Sequence, residues 1–155
     1  MASSRNPIRP IAAFSALLLS VVLAGCDPVD EIQPEERRAV NLGLNVDVAE
    51  IELGNFLIVT PGAGETARLM GSLLNPTESE VEVTFSDSDD EVTVTLLPGQ
   101  QYAFQENATF FETADEPPGA RTQIEVSADG DSTVADVPVR DGSLDWLEPY
   151  IPPAE

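Results

Sequence analysis

The sequence predicts an all-β protein: a seven-stranded antiparallel β-sandwich that follows a signal peptide and a flexible tether. Three observations predict it. From about residue 45 apolar residues recur at every second position, the period of a strand with one buried face. Turn residues (Pro-Gly, Asn-Pro, Asp-Gly) interrupt that alternation at short intervals. Between residues 45 and 143 no stretch carries the apolar stripe of an amphipathic helix.

The chain opens with segments that are not part of that sandwich. Arg5 and Arg9 precede an apolar stretch from Ile11 to Val22, and Leu23-Ala24-Gly25-Cys26 follows at once. Positive charge, a short apolar core and small residues make an export signal over residues 1–25. The apolar stretch is too short to span a bilayer, which takes about 20 residues. Leu23, Ala24, Gly25 and Cys26 closely resemble a bacterial lipobox. The resemblance implies cleavage before Cys26 and attachment of diacylglycerol and further acyl chains, such as palmitate, to that residue. Two or more acyl chains anchor a protein stably, whereas one does not. Cys26 is the chain's single cysteine, so no intramolecular disulfide can form. Residues 26–44 read as an acidic tether. Pro28, Pro34, Glu31, Glu35 and Glu36 keep it open, with a reach of roughly 25 Å.

The sandwich is expected over residues 45–143. Residues 46–60 form the first strand, with kinks at Ala49-Glu50 and Gly54, where the alternation slips phase. Pro61-Gly62-Ala63-Gly64 turns the chain into a second strand at 66–74, which Asn75-Pro76-Thr77 ends. Residues 80–86 and 91–97 alternate cleanly around Asp87-Ser88-Asp89-Asp90, as a hairpin or sandwich corner does. After Pro98-Gly99 comes a short strand at 100–105, then a long loop at 106–120. Residues 121–128 and 132–139 flank Asp129-Gly130-Asp131, a strong hairpin signal. Pro138 cannot donate to a ladder, so the last strand is expected to lie or end at a sheet edge. Seven such strands match an immunoglobulin-like sandwich. Residues 144–155 form an aromatic, proline-rich tail. It either folds back over apolar surface or serves as an extended recognition segment.

Charge excludes several functions. All 28 acids follow Cys26, against five arginines, so the segment after the signal carries −23. Such a surface repels nucleic acid and anionic lipid headgroups. The chain has no His and no Lys, and its one Cys is the expected lipid site. Ser–His, Cys–His and Ser–Lys nucleophile pairs are therefore impossible. No phosphate-cradling or dinucleotide glycine motif is present. The expectation is a protein that is not an enzyme and uses no cofactor.

Three groups remain as candidates. Asp87, Asp89, Asp90 and Glu91 form the densest oxygen cluster. They read either as solvated turn carboxylates or as hard-cation ligands, without the spacing of an EF-hand. Phe110 and Phe111 stand in the long loop, where they either meet a partner or plug the end of the core. Trp146 and Tyr150 in the tail are the remaining partner-binding candidates.

The text LAGC at 23–26, GSLLNPTESEVEV at 71–83, LLPGQ at 96–100 and DVPVRDGSLDW at 136–146 resembles actinobacterial lipoproteins with a small immunoglobulin-like or cupredoxin-like domain. Neighbours of that group resemble periplasmic copper chaperones, which bind Cu(I) through His and Met. This chain has no His, and Met70 falls in an expected strand, so the resemblance brings no copper ligand here. The reading is an exported lipoprotein on the extracytoplasmic face of the cell membrane. It would act as a binding or scaffold module that meets an envelope protein. Hard-cation buffering is the alternative, and a copper-chaperone relative without its metal site the third.

Overall fold

The computed structural model describes residues 42–153. The expected signal peptide with the lipobox-like residues Leu23, Ala24 and Gly25, the expected lipidation site Cys26, and all but the last three residues of the expected tether lie outside them. Among the described residues the protein is all-β, with no α-helix and no helix able to cross a membrane.

Nine strands form rather than seven: β1 Leu44–Val48, β2 Ile51–Val59, β3 Ala67–Leu74, β4 Val81–Ser86, β5 Glu91–Leu96, β6 Gln101–Ala103, β7 Phe110–Phe111, β8 Arg121–Ala128 and β9 Asp131–Arg140. One extra strand comes from the expected first strand. Its kink at Ala49-Glu50 is a hairpin turn, with Ala49 at φ 49° and Val48 paired to Ile51. The other is β7, inside the expected long loop, which pairs with β3 through Ala67–Phe111 and Arg68–Phe110.

The strands run in the order β5-β4-β8-β9-β2-β3-β6, with β1 paired to β2 and β7 to β3, and curl into a nearly closed barrel. The sheet is mixed rather than wholly antiparallel, because β2 and β9 pair in parallel at Ile58–Val139 and Val59–Arg140. Two irregularities permit that join. At Gly54-Asn55 the register of β2 shifts, and Asn55 takes φ 53°. The bulge carries β2 from its partner β1 to its partner β9. Asn55 is held there by Gly43 N–H donating to its Oδ1 at 2.8 Å and by its own N–H donating to Asn45 Oδ1 at 2.9 Å. Gly71 lies beside the bulge at φ 125°, and a Cβ on it would stand 2.7 Å from the Gly54 carbonyl.

The second irregularity is Pro138, and it corrects the edge-strand expectation. β9 is central, not an edge. Its pairing with β8 ends at Arg121–Pro138, and its pairing with β2 begins one residue later. Val139 bonds back to Ala120 and Gly119, so Pro138 faces the β2 side. Its missing donor falls just before that ladder starts, where none is needed.

Alternation then sorts the side chains. Ile51, Leu53, Phe56, Leu69, Leu73, Val83, Phe85, Leu96, Ile124, Val126 and Val137 belong to one buried cluster that the curled sheet encloses. Each such side chain contributes about 1.5–3 kcal/mol when fully buried. Phe56, Phe85 and Phe104 meet at its centre, with ring centroids 5.4–6.4 Å apart. A smaller cluster lies on the other face of β2 and β3. There Leu57, Val59 and Met70 are covered by Leu147, Tyr150 and Ile151. The tail therefore folds back over apolar surface, with a 3₁₀ turn at Glu148–Tyr150.

Candidate functional site

The acidic candidates sit on the four-residue turn between β4 and β5. One carboxylate oxygen from each of Asp87, Asp89 and Asp90 falls within 4.8 Å of the others. Glu91 is outside that group; it accepts from Ser86 Oγ at 3.4 Å at the start of β5. Two of these oxygens already hold backbone N–H groups. Asp87 Oδ1 accepts from Asp90 N–H at 2.8 Å and Asp89 N–H at 3.3 Å, closing the turn. Asp90 Oδ2 accepts from Thr113 N–H at 2.9 Å, and Asp115 accepts from Ser88 Oγ at 2.6 Å. The turn is thereby stapled to residues 113–115. Partial burial pushes the Asp87 carboxyl above its ordinary value. The two backbone donors pull it down, and the charges of Asp115 and Asp90 add to the rise. Three carboxylates supply only part of the six to eight oxygens that calcium takes.

The aromatic candidates separate. Alternation along β7 sends Phe111 into the core, where it is 1% exposed, and leaves Phe110 42% exposed. Phe110 faces Arg68 across the β3–β7 pair, with the guanidinium carbon 5.8 Å from its ring centroid. Tyr150 stacks on the same guanidinium at 5.0 Å from the tail side and is half-buried. Trp146 lies one residue before the buried Leu147 and is 37% exposed. So Phe110 and Tyr150 are brought together through Arg68. Phe111 has no free surface.

No family model matches the chain, and no curated protein matches it.

Arg68 is the residue that sequence reasoning missed. Its Nη2 donates to the Gln105 carbonyl at 3.1 Å, so it ties β3 and the tail to the segment after β6. Its row on the sheet is Arg140–Val59–Arg68–Phe110, all on one face by pairing register. The one signal in the sequence was a lone cation inside an apolar strand, which needs π faces or carbonyls for company. Met70 is fully buried under the tail, so its thioether offers no open ligand.

Asn75 was also missed as more than a strand end. It is fully buried, and its Nδ2 reaches the carbonyls of Ser79, Leu97 and Leu96 at 2.8, 3.1 and 3.3 Å. Its Oδ1 accepts from Thr77 N–H at 3.0 Å and Thr77 Oγ1 at 2.8 Å. This corner is structural, and it fixes the far end of β5.

Proposed function

We propose that the chain is an exported, lipid-anchored, non-enzymatic binding or scaffold module of the cell envelope. Several features support the reading. LAGC at 23–26 follows a short apolar stretch behind two arginines. The lack of His and Lys removes the usual nucleophile–base pairs. The observation that carries the binding part is Phe110, an exposed ring on a strand whose next residue is fixed in the core. A rigid scaffold that holds an aromatic ring in water presents a contact at low entropic cost. The partner is a protein of the envelope, met while the tether holds the domain off the lipid.

Two measurements test this. Replacing Cys26 with Ser moves the protein out of the membrane fraction and abolishes its labelling by radioactive palmitate. A photo-crosslinking residue at Phe110 or Trp146 in living cells yields a reproducible protein adduct. An unacylated native chain, or the absence of an adduct from both positions, overturns the corresponding half of the proposal.

The second reading is hard-cation binding, favoured by the convergence of Asp87, Asp89 and Asp90 within 4.8 Å. Calorimetry with CaCl₂ at physiological salt separates the two. Saturable one-site binding, lost in a chain carrying Asp87→Asn and Asp89→Asn, favours this reading. Weak, unsaturable heat sinks it.

A further inference from the structure

Arginine is scarce in this chain, and two of the few stand without a carboxylate. Five arginines face 28 acids after Cys26, so a surface arginine is expected to meet an acid. Among the described residues only Arg121 does, with Asp136 at 2.6 Å. Arg68 and Arg140 are partly buried, and the Nε of each is shut from water with no hydrogen-bond partner. Arg68 is partly satisfied by the carbonyls of Phe104 and Gln105 and by the rings of Phe110 and Tyr150. Asp141, next to Arg140 in sequence, accepts instead from Ser143 N–H at 3.0 Å. A half-buried guanidinium with an idle donor is costly until a carboxylate meets its open end.

The two arginines share a face with the point where the chain joins the barrel. Arg68 and Arg140 flank Val59 in register, about 10 Å apart at the usual strand spacing. Val59 belongs to the apolar cluster under the tail, and Leu42 packs on that same cluster. Gly43 fixes the entry. Its N–H donates to Asn55 Oδ1 at 2.8 Å, and a Cβ on it would collide with the Asn55 carbonyl.

Glu35-Glu36-Arg37-Arg38 is the charged run nearest that entry. Glu36 stands six residues before Leu42, a reach of up to roughly 20 Å in extended chain. The surface offers complementary charge: Arg68 and Arg140 for the glutamates, and the exposed Asp145 and Glu148 of the tail for the arginines. A free acidic partner, or a second copy of the chain, approaches against the excess of acid. The tether is already joined to the barrel, so it acts at an effective concentration in about the millimolar range.

We propose that residues 35–41 of the tether dock on the outer face of β2, β3 and β9. The carboxylates of Glu35 and Glu36 meet the open ends of the Arg140 and Arg68 guanidinium groups. Docking divides the tether. Residues 26–34 remain as a free leash of roughly 16 Å, against roughly 25 Å for the whole. On the reading of the chain as lipid-anchored, the arginine pair sets how far the barrel stands from the bilayer. The docking itself does not depend on the anchor.

The test is trypsin on the full chain in detergent, read at the bonds after Arg37 and Arg38. The control is a synthetic peptide of residues 27–41. Cleavage of the native chain is slower than that of the peptide by about tenfold or more. Arg140→Gln restores the peptide's rate while the melting curve is retained. So does Glu35→Gln with Glu36→Gln, compared with a peptide carrying the same changes. Should Arg140→Gln fail to fold, the glutamate double variant still decides, because it leaves every described residue intact. Cleavage of the native chain at the peptide's rate overturns the proposal. Protection that survives in either variant does so too: kept in both, it is hindrance by the barrel, and kept in one, it is a different pairing. Protection that rises with protein concentration assigns the arginines to a second copy and also overturns it. Palmitate labelling and the adducts at Phe110 and Trp146 test the binding module separately, so the two failures are distinguishable.

Discussion

The two ends of β5 are held by polar groups of opposite kinds. At the Leu96 end a neutral amide, Asn75, is fully buried, and both its oxygen and its nitrogen are used by neighbouring groups. At the Glu91 end carboxylates stand in water and staple the turn to residues 113–115. An amide can be buried because it carries donor and acceptor without charge, so full pairing covers its desolvation. A carboxylate accepts only, and repeated acids would repel one another in a dry site. The acidic corner therefore stays partly wet, and one oxygen of each of Asp87, Asp89 and Asp90 takes a backbone or hydroxyl donor. The lesson is that density of charge does not mark the stronger joint. The uncharged corner is expected to hold more, because its amide is fully buried and fully paired.

Asn75→Ala is expected to break that comparison most visibly. It strips a donor from the carbonyls of Ser79, Leu96 and Leu97 and an acceptor from Thr77, and should cost roughly 3 kcal/mol. Urea unfolding checks it; a loss under about 1 kcal/mol would mean that water replaces the amide in full. Asn75→Asp sharpens the point. It keeps the acceptor for Thr77 but turns an oxygen toward the carbonyls, and burial raises its carboxyl. A raised folded value means that the native state holds more protons than the unfolded state. Stability therefore recovers as pH falls through that value and is lost as pH rises.

This contrast also explains how far the sequence could be read. Period-two alternation is a local signal, and it located β3, β4, β5, β8 and β9 to within a residue or so at each end. Asp129-Gly130 was legible as a hairpin because both residues adopt positive φ, at 50° and 87°. Ala49-Glu50 was legible only as a kink, since Ala seldom occupies φ 49° and the sequence advertises no turn there. β7 is two adjacent phenylalanines without flanking alternation, so its pairing with β3 comes from tertiary contact alone. The edge role given to Pro138 failed because a strand can pass between two partners and leave its missing donor at the hand-over. Of the candidate residues, the acids were visible as a cluster. The jobs of Asn75 and Arg68 depend on carbonyls from Leu96, Leu97 and Gln105, distant in sequence, and no local pattern carries that.

A smaller effect is expected at the acidic corner. Asp90→Ala removes the acceptor for Thr113 N–H and part of the joint between the turn and residues 112–115. It should cost about 1 kcal/mol, with faster hydrogen exchange confined to the β4–β5 turn and that facing segment. Exchange that spreads through β4 and β5 would show that the staple supports the whole sheet edge, and the comparison with Asn75 would fail. Ser88→Ala tests the parallel link to Asp115 and should do less, because both partners are exposed.

The smallest effect has the most informative sign. Asp87 is raised above its ordinary value chiefly by partial burial, and Asp141 is lowered chiefly by the hydroxyl and N–H of Ser143. For Asp87 the folded state binds the extra proton, so its charge opposes folding once pH rises through the folded value. For Asp141 the folded carboxylate is favoured, so its contribution is present above the ordinary value and lost as pH falls through the lowered one. Asp87→Asn keeps an oxygen for the Asp89 and Asp90 N–H groups and removes the charge. Its stability change at neutral pH should stay within about 0.5 kcal/mol and be favourable. Below the carboxylate range the difference from the native chain should vanish. Thermal melts at both pH values measure this, and a carbon-detected titration of the two side chains assigns it. A clear loss of stability at neutral pH would mean that the Asp87 charge is needed in the fold, as it would be if that turn holds a cation.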